Sequence, residues 1–261
     1  MPRFSANISM MFTERDLLDR PKAAADAGFG AIEVQFPYDE KPEAWQKAVE
    51  AADVAVAVFN IPVGDMLTGG PGIAAMPGRE AEFAEACEQA KPYVEALNPV
   101  NVNVLTGWPP ESEDRSICWS TLANNLAHAG DFFRRTGTRV LVEAVNGRDR
   151  PGYFLQQSRD AVRAIRVAAR RNLGIEYDIY HMQIMEGDLV PTMTEILPHV
   201  GHIQFADTPG RHEPGTGEIN FPFVFKALDE MGYEGWVGAE YNPTKQTERT
   251  LTWLKPWKGN R

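Results

Sequence analysis

The chain has 261 residues, and its 26 lysines and arginines against 36 aspartates and glutamates give a formal net charge of −10 at pH 7. This acidic balance argues against nucleic-acid binding and against attachment to an anionic membrane, because both depend on basic surfaces. The longest apolar run, Val54–Phe59, has the length of a strand, so we expect no membrane span. With two cysteines outside any CxxC pattern and no apolar leader, the sequence predicts a cytoplasmic protein of one domain, residues 1–261.

Short runs rich in β-forming residues alternate along the chain with segments whose apolar residues fall three or four apart. Such alternation indicates parallel strands joined by helices, and eight units in about 250 residues are typical of a (β/α)8 TIM barrel. An open doubly wound sheet is the alternative, but the glycine-rich turn expected after its first strand is absent. The predicted strands are Arg3–Ser9, Ala31–Gln35, Val54–Phe59, Val100–Leu105, Arg139–Val145, Gly174–Asp178, His202–Ala206 and Gly235–Glu240; the clearest predicted helices are Arg79–Ala96, Ser120–Phe133, Ala161–Ala169 and Phe223–Met231.

Polar residues occur at the C-terminal ends of the last four predicted strands. They are Glu143, Asp178, Gln204 and Glu240, separated by 35, 26 and 36 residues, and each interval is close to one strand–helix unit. Because the C-terminal ends of barrel strands meet at one mouth, we expect these side chains to converge there. A single carboxylate at a strand end is more often a solvated loop residue, so the shared spacing is what favours a functional site.

Three carboxylates directed into one mouth predict a bound cation, since they repel one another and are costly to desolvate without one. A set of oxygen ligands without cysteine favours a hard ion, Mg²⁺ or Mn²⁺, over zinc. The sequence therefore predicts a divalent metal site at the barrel mouth.

Several loops following predicted strands carry candidates for substrate contact. His181 lies three residues after Asp178 and is suited to bind substrate oxygens, while Arg211 is suited to hold a substrate carboxylate. The long glycine-rich segment Asn60–Gly78 has the apolar content of an ordered lid, and Trp108 is a candidate wall of the pocket.

The sequence resembles the hydroxypyruvate isomerase family, within the xylose-isomerase-like TIM barrels. The resemblance covers essentially the whole chain, and it is carried by these segments: Arg3-Phe-Ser-Ala-Asn-Ile-Ser-Met10, Phe36-Pro-Tyr38, Met76-Pro-Gly-Arg-Glu80, Leu141-Val-Glu143, Tyr177-Asp-Ile-Tyr-His-Met-Gln183, His212-Glu-Pro-Gly-Thr-Gly-Glu-Ile-Asn220 and Gly235-Trp-Val-Gly-Ala-Glu-Tyr241.

The resemblance implies, position by position, that Glu143, Asp178, Gln204 and Glu240 bind a divalent metal and that Glu143 and Glu240 form the proton donor and acceptor pair. The implied reaction interconverts hydroxypyruvate and 2-hydroxy-3-oxopropanoate (tartronate semialdehyde) through a cis-enediolate. One departure is that Phe59-Asn60 stands where some members of the family have a histidine, which predicts an apolar wall there.

Other reactions use the same site chemistry. A 2-oxo-tetronate isomerase and a ketose 3-epimerase remain alternatives, and a non-catalytic sugar-binding protein is less favoured by the strand-end carboxylates. A DNA endonuclease on this barrel would need several zinc-binding histidines and a basic face, whereas the chain has five histidines and a charge of −10. The expected partner is a small 2-oxo acid substrate, with no nucleic acid and no membrane; a homo-oligomer, dimer or tetramer, is left open.

Overall fold

The computed structural model describes residues 1–257. Eight strands form a closed barrel in sequence order, and every neighbouring pair is parallel, including β1 with β8. The predicted barrel is therefore confirmed, and each predicted strand overlaps an observed one. The strands are β1 (Arg3–Asn7), β2 (Ala31–Val34), β3 (Ala55–Asn60), β4 (Asn101–Val104), β5 (Arg139–Glu143), β6 (Leu173–Asp178), β7 (Val200–Phe205) and β8 (Trp236–Ala239).

Helices surround the barrel, and four of them correspond to the clearest predicted segments. The fourth helix begins at Arg115, five residues before the predicted start, because Asp114 caps it by accepting a hydrogen bond from the Ser116 amide. The helices are α1 (Arg20–Ala27), α2 (Pro42–Ala52), α3 (Glu80–Leu97), α4 (Arg115–Phe133), α5 (Ser158–Ala168), α6 (Ile179–Met185), α7 (Leu189–Ile196), α8 (Phe221–Glu230) and α9 (Thr247–Thr250). Among these described helices, none is long and apolar enough to cross a membrane.

An aromatic cluster packs the C-terminal segment and α8 against strands β1 and β7. The Trp253 ring lies 5.2 Å from that of Phe4 and 5.0 Å from that of Phe205, both in edge-to-face geometry. Phe225 of α8 packs 5.0 Å from the Phe4 ring, so the C-terminal segment is fastened to the first strand. Trp253 therefore serves the core of this barrel.

The loop between β3 and α3 is ordered by an internal ion pair. Arg79 donates to the Asp65 carboxylate at 2.7 Å, and Asp65 also accepts from the Gly72 amide at 3.2 Å. The Trp108 amide donates to the Pro71 carbonyl at 2.9 Å, which joins this loop to the loop after β4. Gly107 permits the approach, because a Cβ atom there would lie 2.1 Å from the Pro71 oxygen.

The loop between β7 and α8 is organised around the buried Asp207. This carboxylate accepts hydrogen bonds from the Gly215 and Gly217 amides at 2.8 and 2.9 Å, so its role is to hold the loop in shape. Arg211 has a positive φ of 56°, and its carbonyl accepts from the Asn242 amide at 2.8 Å. The loop then enters α8, where the Asn220 side chain caps the helix by accepting from the Phe223 amide at 3.3 Å.

Candidate active site

The four residues at the strand ends are all buried at the same end of the barrel. Glu143 closes β5, and Asp178 closes β6 in register with Gln204 of β7. Glu240 follows β8, and its amide continues the ladder by donating to the Phe205 carbonyl at 3.0 Å. In a ring of eight strands, β5 and β8 are three positions apart, so Glu143 and Glu240 approach the mouth from facing sides.

Arg211 is the counter-charge of this site. One guanidinium nitrogen, Nη2, donates to Glu240 Oε2 and lies 3.4 Å from Asp178 Oδ2. Burial disfavours the charged form of Arg211, but Glu240 and Asp178 outweigh that effect and raise its pKa. Burial likewise raises the pKa of Asp178 to about 7, against the opposing attraction of Arg211.

Glu143 has fewer partners than Glu240. Burial raises the pKa of Glu143 well above its ordinary value, and the neighbouring Glu240 and Asp178 raise it further. Its hydrogen-bond donor is Asn103, whose side-chain nitrogen lies 3.2 Å from Oε2. The carboxyl group therefore retains a proton more readily than an exposed glutamate does, which is a property of groups that exchange protons near neutral pH.

The Glu240 carboxylate accepts hydrogen bonds from side chains on both sides of β8. Its Oε1 accepts from Asn7 at 3.0 Å and from Gln35 at 2.9 Å, while its Oε2 faces Arg211. These hydrogen bonds fix the orientation of the carboxylate. Glu143 and Glu240 thus occupy contrasting environments within one site.

Glu33 of β2, deep in the barrel, positions Gln204. The Gln204 side-chain nitrogen donates to Glu33 Oε2 at 2.8 Å, which turns the amide oxygen away from Glu33. Glu33 Oε1 in turn accepts from Ser5 at 2.6 Å and lies 2.7 Å from His202 Nε2. Gly238 leaves the space for this carboxylate, because a Cβ atom there would lie 1.7 Å from Oε1.

His181 sits on the first turn of α6, which Asp178 caps by accepting from the Tyr180 amide at 2.8 Å. Its Nε2 lies 3.4 Å from Asp178 Oδ2 and 3.8 Å from Glu143 Oε1. Burial lowers the pKa of His181 well below its ordinary value, and the charges of Arg211 and Arg150 lower it further. The imidazole is therefore neutral.

The tautomer of His181 follows from the hydrogen bonds of Asn146. The Asn146 side-chain oxygen accepts from the Asp149 amide at 2.8 Å, and its nitrogen donates to Asp149 Oδ2 at 3.0 Å. That nitrogen also lies 2.6 Å from His181 Nδ1, which must accept. The proton consequently resides on Nε2, so His181 presents a hydrogen-bond donor to the mouth.

A cavity of about 390 Å³ opens above these groups. The predicted lid contributes Met66 and Leu67 from the 3₁₀ turn Gly64–Thr68, and Trp108 forms another wall as expected. Asn60 also lines the cavity, so the expectation of an apolar wall at Phe59-Asn60 was wrong. Phe59 is buried beside the Tyr38 ring at 6.4 Å, whereas Asn60 presents a polar side chain bonded to Asn103 at 3.1 Å.

The residues of the mouth fit a divalent cation. Single ligand atoms of Glu143, Asp178 and His181 all lie within 4.8 Å of one another. The carboxylates are desolvated, and Glu143 and Asp178 each have a raised pKa to which neighbouring carboxylates contribute, a situation that a cation relieves. Oxygen donors of this kind suit Mg²⁺ or Mn²⁺. His181 belongs to this group by distance, but its Nε2 carries the proton and is a hydrogen-bond donor in the described network.

Sequence reasoning missed Glu33, Asn103 and Asn146, which orient the site, and Arg150, which lines its cavity. Glu33 lies within a strand, at a position that faces the barrel interior. In the sequence, such a position looks the same as one that only packs in the core. Asn146 and Arg150 occur in a loop, where polar residues are common. Glu33, Asn103 and Asn146 each contact a residue that is distant in the sequence, so no local pattern identified them.

The fold and the site define a (β/α)8 barrel with a buried acidic centre at the C-terminal mouth. The model of the family described as xylose isomerase-like TIM barrel matches residues 21–257. The chain belongs to that family. A 2-oxo-tetronate isomerase of Cupriavidus necator is 41% identical over 99% of this chain and 100% of its own length. The hydroxypyruvate isomerase of Escherichia coli is 42% identical over 99% of this chain and 100% of its own length.

Full-length identity at this level places the chain among the isomerases of the family, so it is an enzyme of that class. Among solved structures, one described as an AP endonuclease, family 2, from Brucella melitensis has a TM-score of 0.96 and 40% identity, covering 99% of this chain and 100% of that chain. A 3-keto-D-glucoside 4-epimerase from E. coli has a TM-score of 0.80 at 20% identity, covering 98% and 99% of the two chains, and shows likeness of fold alone.

Proposed function

We propose that this isomerase interconverts hydroxypyruvate and 2-hydroxy-3-oxopropanoate through a cis-enediolate. The observation that carries the proposal is the pair of buried glutamates, Glu143 and Glu240, which face one cavity from β5 and from the end of β8. The E. coli relative named hydroxypyruvate isomerase aligns with the whole chain at 42% identity. Two carboxylates in contrasting environments are the arrangement that proton exchange at adjacent carbons requires.

Glu143, Asp178, Gln204 and Glu240 are the proposed ligands of a divalent cation, Mg²⁺ or Mn²⁺. When bound, such a cation supplies Lewis acidity to the substrate carbonyl and hydroxyl oxygens and stabilises developing negative charge. Glu33 contributes indirectly, because it orients the amide oxygen of Gln204.

Glu143 and Glu240 perform the proton transfers. One carboxylate removes a proton from C3 of hydroxypyruvate, and a proton is returned at C2, so that the ketone becomes a secondary alcohol. The hydroxyl proton at O3 leaves as the aldehyde forms, and a proton is gained at O2, so the overall formula is unchanged. His181 donates its Nε2 proton as a hydrogen bond to an enediolate oxygen, and Arg211 orients Glu240.

A four-carbon 2-oxo acid is the second candidate substrate. The C. necator relative named 2-oxo-tetronate isomerase is 41% identical over the whole chain. A cavity of about 390 Å³ has room for one further carbon. An endonuclease activity is less favoured, because the formal net charge of −10 opposes binding to a phosphate backbone.

The test is proton NMR of each acid in D₂O with the purified protein, with added Mg²⁺ or Mn²⁺ and then with EDTA. We expect the semialdehyde to form from hydroxypyruvate with deuterium at carbon and to stop forming in EDTA. Turnover of the four-carbon acid without turnover of hydroxypyruvate would identify the four-carbon acid as the substrate instead. Glu143→Gln and Glu240→Gln should each lower kcat by about 10³-fold or more, as expected for loss of a proton-transfer group. Near-normal turnover by either folded, metal-bound variant would refute its role.

A further inference from the structure

The mouth contains a second arginine whose charge is not paired within the part of the chain that the structure describes. Arg150 lies in the loop between β5 and α5 and lines the same cavity as Glu143 and His181. Across residues 1–257, its guanidinium has no hydrogen bond or ion pair. Arg211, in contrast, is committed to Glu240 and Asp178 and lies 5.1 Å from the centre of the Tyr180 ring.

The charges around the cavity create a need for such a group. Glu143, Asp149 and Glu240 line it, and Glu240 is already paired with Arg211. A substrate carboxylate at the rim, away from the proposed cation ligands, is bound most favourably by a guanidinium that is not already paired. Arg150 and Arg211 are the arginines among the described lining residues, and Arg211 is already paired.

The backbone holds Arg150 in place although its side chain is exposed. Its amide donates to the Asn146 carbonyl at 3.2 Å, and its carbonyl accepts from the Tyr153 amide at 3.1 Å. The preceding Asp149 is fixed by the Tyr180 hydroxyl at 2.8 Å and by Asn146 at 3.0 Å. The same Asn146 sets the tautomer of His181, so the loop couples the position of Arg150 to that of the catalytic groups.

We propose that Arg150 is the specificity-determining residue that binds the carboxylate of the substrate at the rim of the cavity. The proposal rests on the proposed function in taking the substrate to be a 2-oxo acid. Arg150 would form charge-assisted hydrogen bonds to the carboxylate, so that the reacting carbons extend inward toward Glu143 and Glu240. This role distinguishes an acid from a neutral ketose of the same length.

Two probes separate recognition of the carboxylate from chemistry. Dihydroxyacetone is hydroxypyruvate with a hydroxymethyl group in place of the carboxylate. Glycerate keeps the carboxylate but has no carbonyl, so its binding to the metal-loaded enzyme is measured by calorimetry without turnover. The variants are Arg150→Gln, the charge-retaining Arg150→Lys, and the matched control Arg148→Gln, an exposed arginine of the same loop outside the cavity lining.

We expect Arg150→Gln to raise KM for hydroxypyruvate and Kd for glycerate by about 30-fold, the size of a lost charge-assisted hydrogen bond. Its kcat should stay within about threefold of the native value, since no reacting atom is touched. Any binding or turnover of dihydroxyacetone should be unchanged, Arg150→Lys should recover part of the loss, and Arg148→Gln should behave as the native enzyme does.

Unchanged glycerate binding in Arg150→Gln would overturn the inference, as would a fall in kcat at constant KM. Failure of the proposed function has a different signature. The native enzyme would then leave hydroxypyruvate untouched while glycerate binding still depended on Arg150, which would support the inference and reject the substrate.

Discussion

Asp178 makes the stability of the metal-free protein depend on pH in a direction that can be measured. Burial raises its pKa from 3.8 to about 7 in the folded protein. The unfolded chain restores the ordinary value, so the folded state binds this proton more tightly. The resulting contribution to stability is fully present below pH 3.8 and is lost as the pH rises through about 7.

The magnitude follows from the size of the shift. About 3 pKa units at about 1.4 kcal/mol per unit set a ceiling of about 4 kcal/mol, of which about 3 kcal/mol falls between about pH 5 and pH 8. Asp178→Asn cannot titrate, and it also removes a neighbouring charge that raises the pKa of Glu143. The variant should therefore gain about 3 kcal/mol relative to the native protein between those two pH values.

Urea unfolding followed by circular dichroism in EDTA, at about pH 5 and pH 8, measures this difference. Glu111→Gln removes an exposed carboxylate in the loop before α4 and should follow the native protein at both values. Added Mn²⁺ at the higher pH should stabilise the native protein and leave Asp178→Asn nearly unaffected. If the native protein and Asp178→Asn differ by the same free energy at both pH values, the reasoning about the buried mouth is refuted.

Three further predictions concern the groups that position the site. Gly238→Ala should displace Glu33, because the added Cβ would lie 1.7 Å from Oε1. We expect the free energy of unfolding in urea to fall by about 2 kcal/mol or more and kcat to fall as well. Native values of both quantities would contradict this. Asn146→Asp places an acceptor against Nδ1 of His181 and should move the imidazole proton to that atom. The ¹⁵N chemical shifts of the imidazole report the tautomer, and kcat should fall about tenfold or more. Arg79→Gln should release the loop between β3 and α3, raising KM and speeding amide exchange across residues 61–79, whereas unchanged exchange would show that the ion pair does not order the loop.

The fold was predictable because its signals are local and repeated. Each strand is a short β-rich run, as in Arg139–Glu143, and each recurs at the interval that a strand–helix unit requires. Helix starts were less predictable where a cap decided them. The start at Arg115 depends on the Asp114 side chain accepting from Ser116, and the apolar spacing of α4 gives little indication of it.

The positions of the candidate site residues were predictable for the same reason, whereas their charge states were not. Counting intervals brings Glu143, Asp178 and Glu240 to one mouth, and the structure buries all three there. The counting does not reveal that Arg211 pairs with two of them, because Arg211 lies in a loop, 33 residues from Asp178 and 29 from Glu240. Sequence reasoning accordingly assigned Arg211 to a substrate carboxylate, a role that remains a prediction.

The two arginines of the mouth have the same side chain but different surroundings, and their proposed roles differ accordingly. Arg211 lies deep in the mouth, between Asp178 and Glu240. Desolvation of a charged group costs free energy there, both for an unpaired carboxylate and for an unpaired guanidinium. Each therefore requires the other, and the guanidinium is held by the protein's own carboxylates. Arg150 lies at the rim, where solvent supports its charge and no carboxylate of the described residues pairs with it. A ligand can reach it without breaking an existing ion pair, so the affinity for an acid is greater at the rim than at the buried arginine.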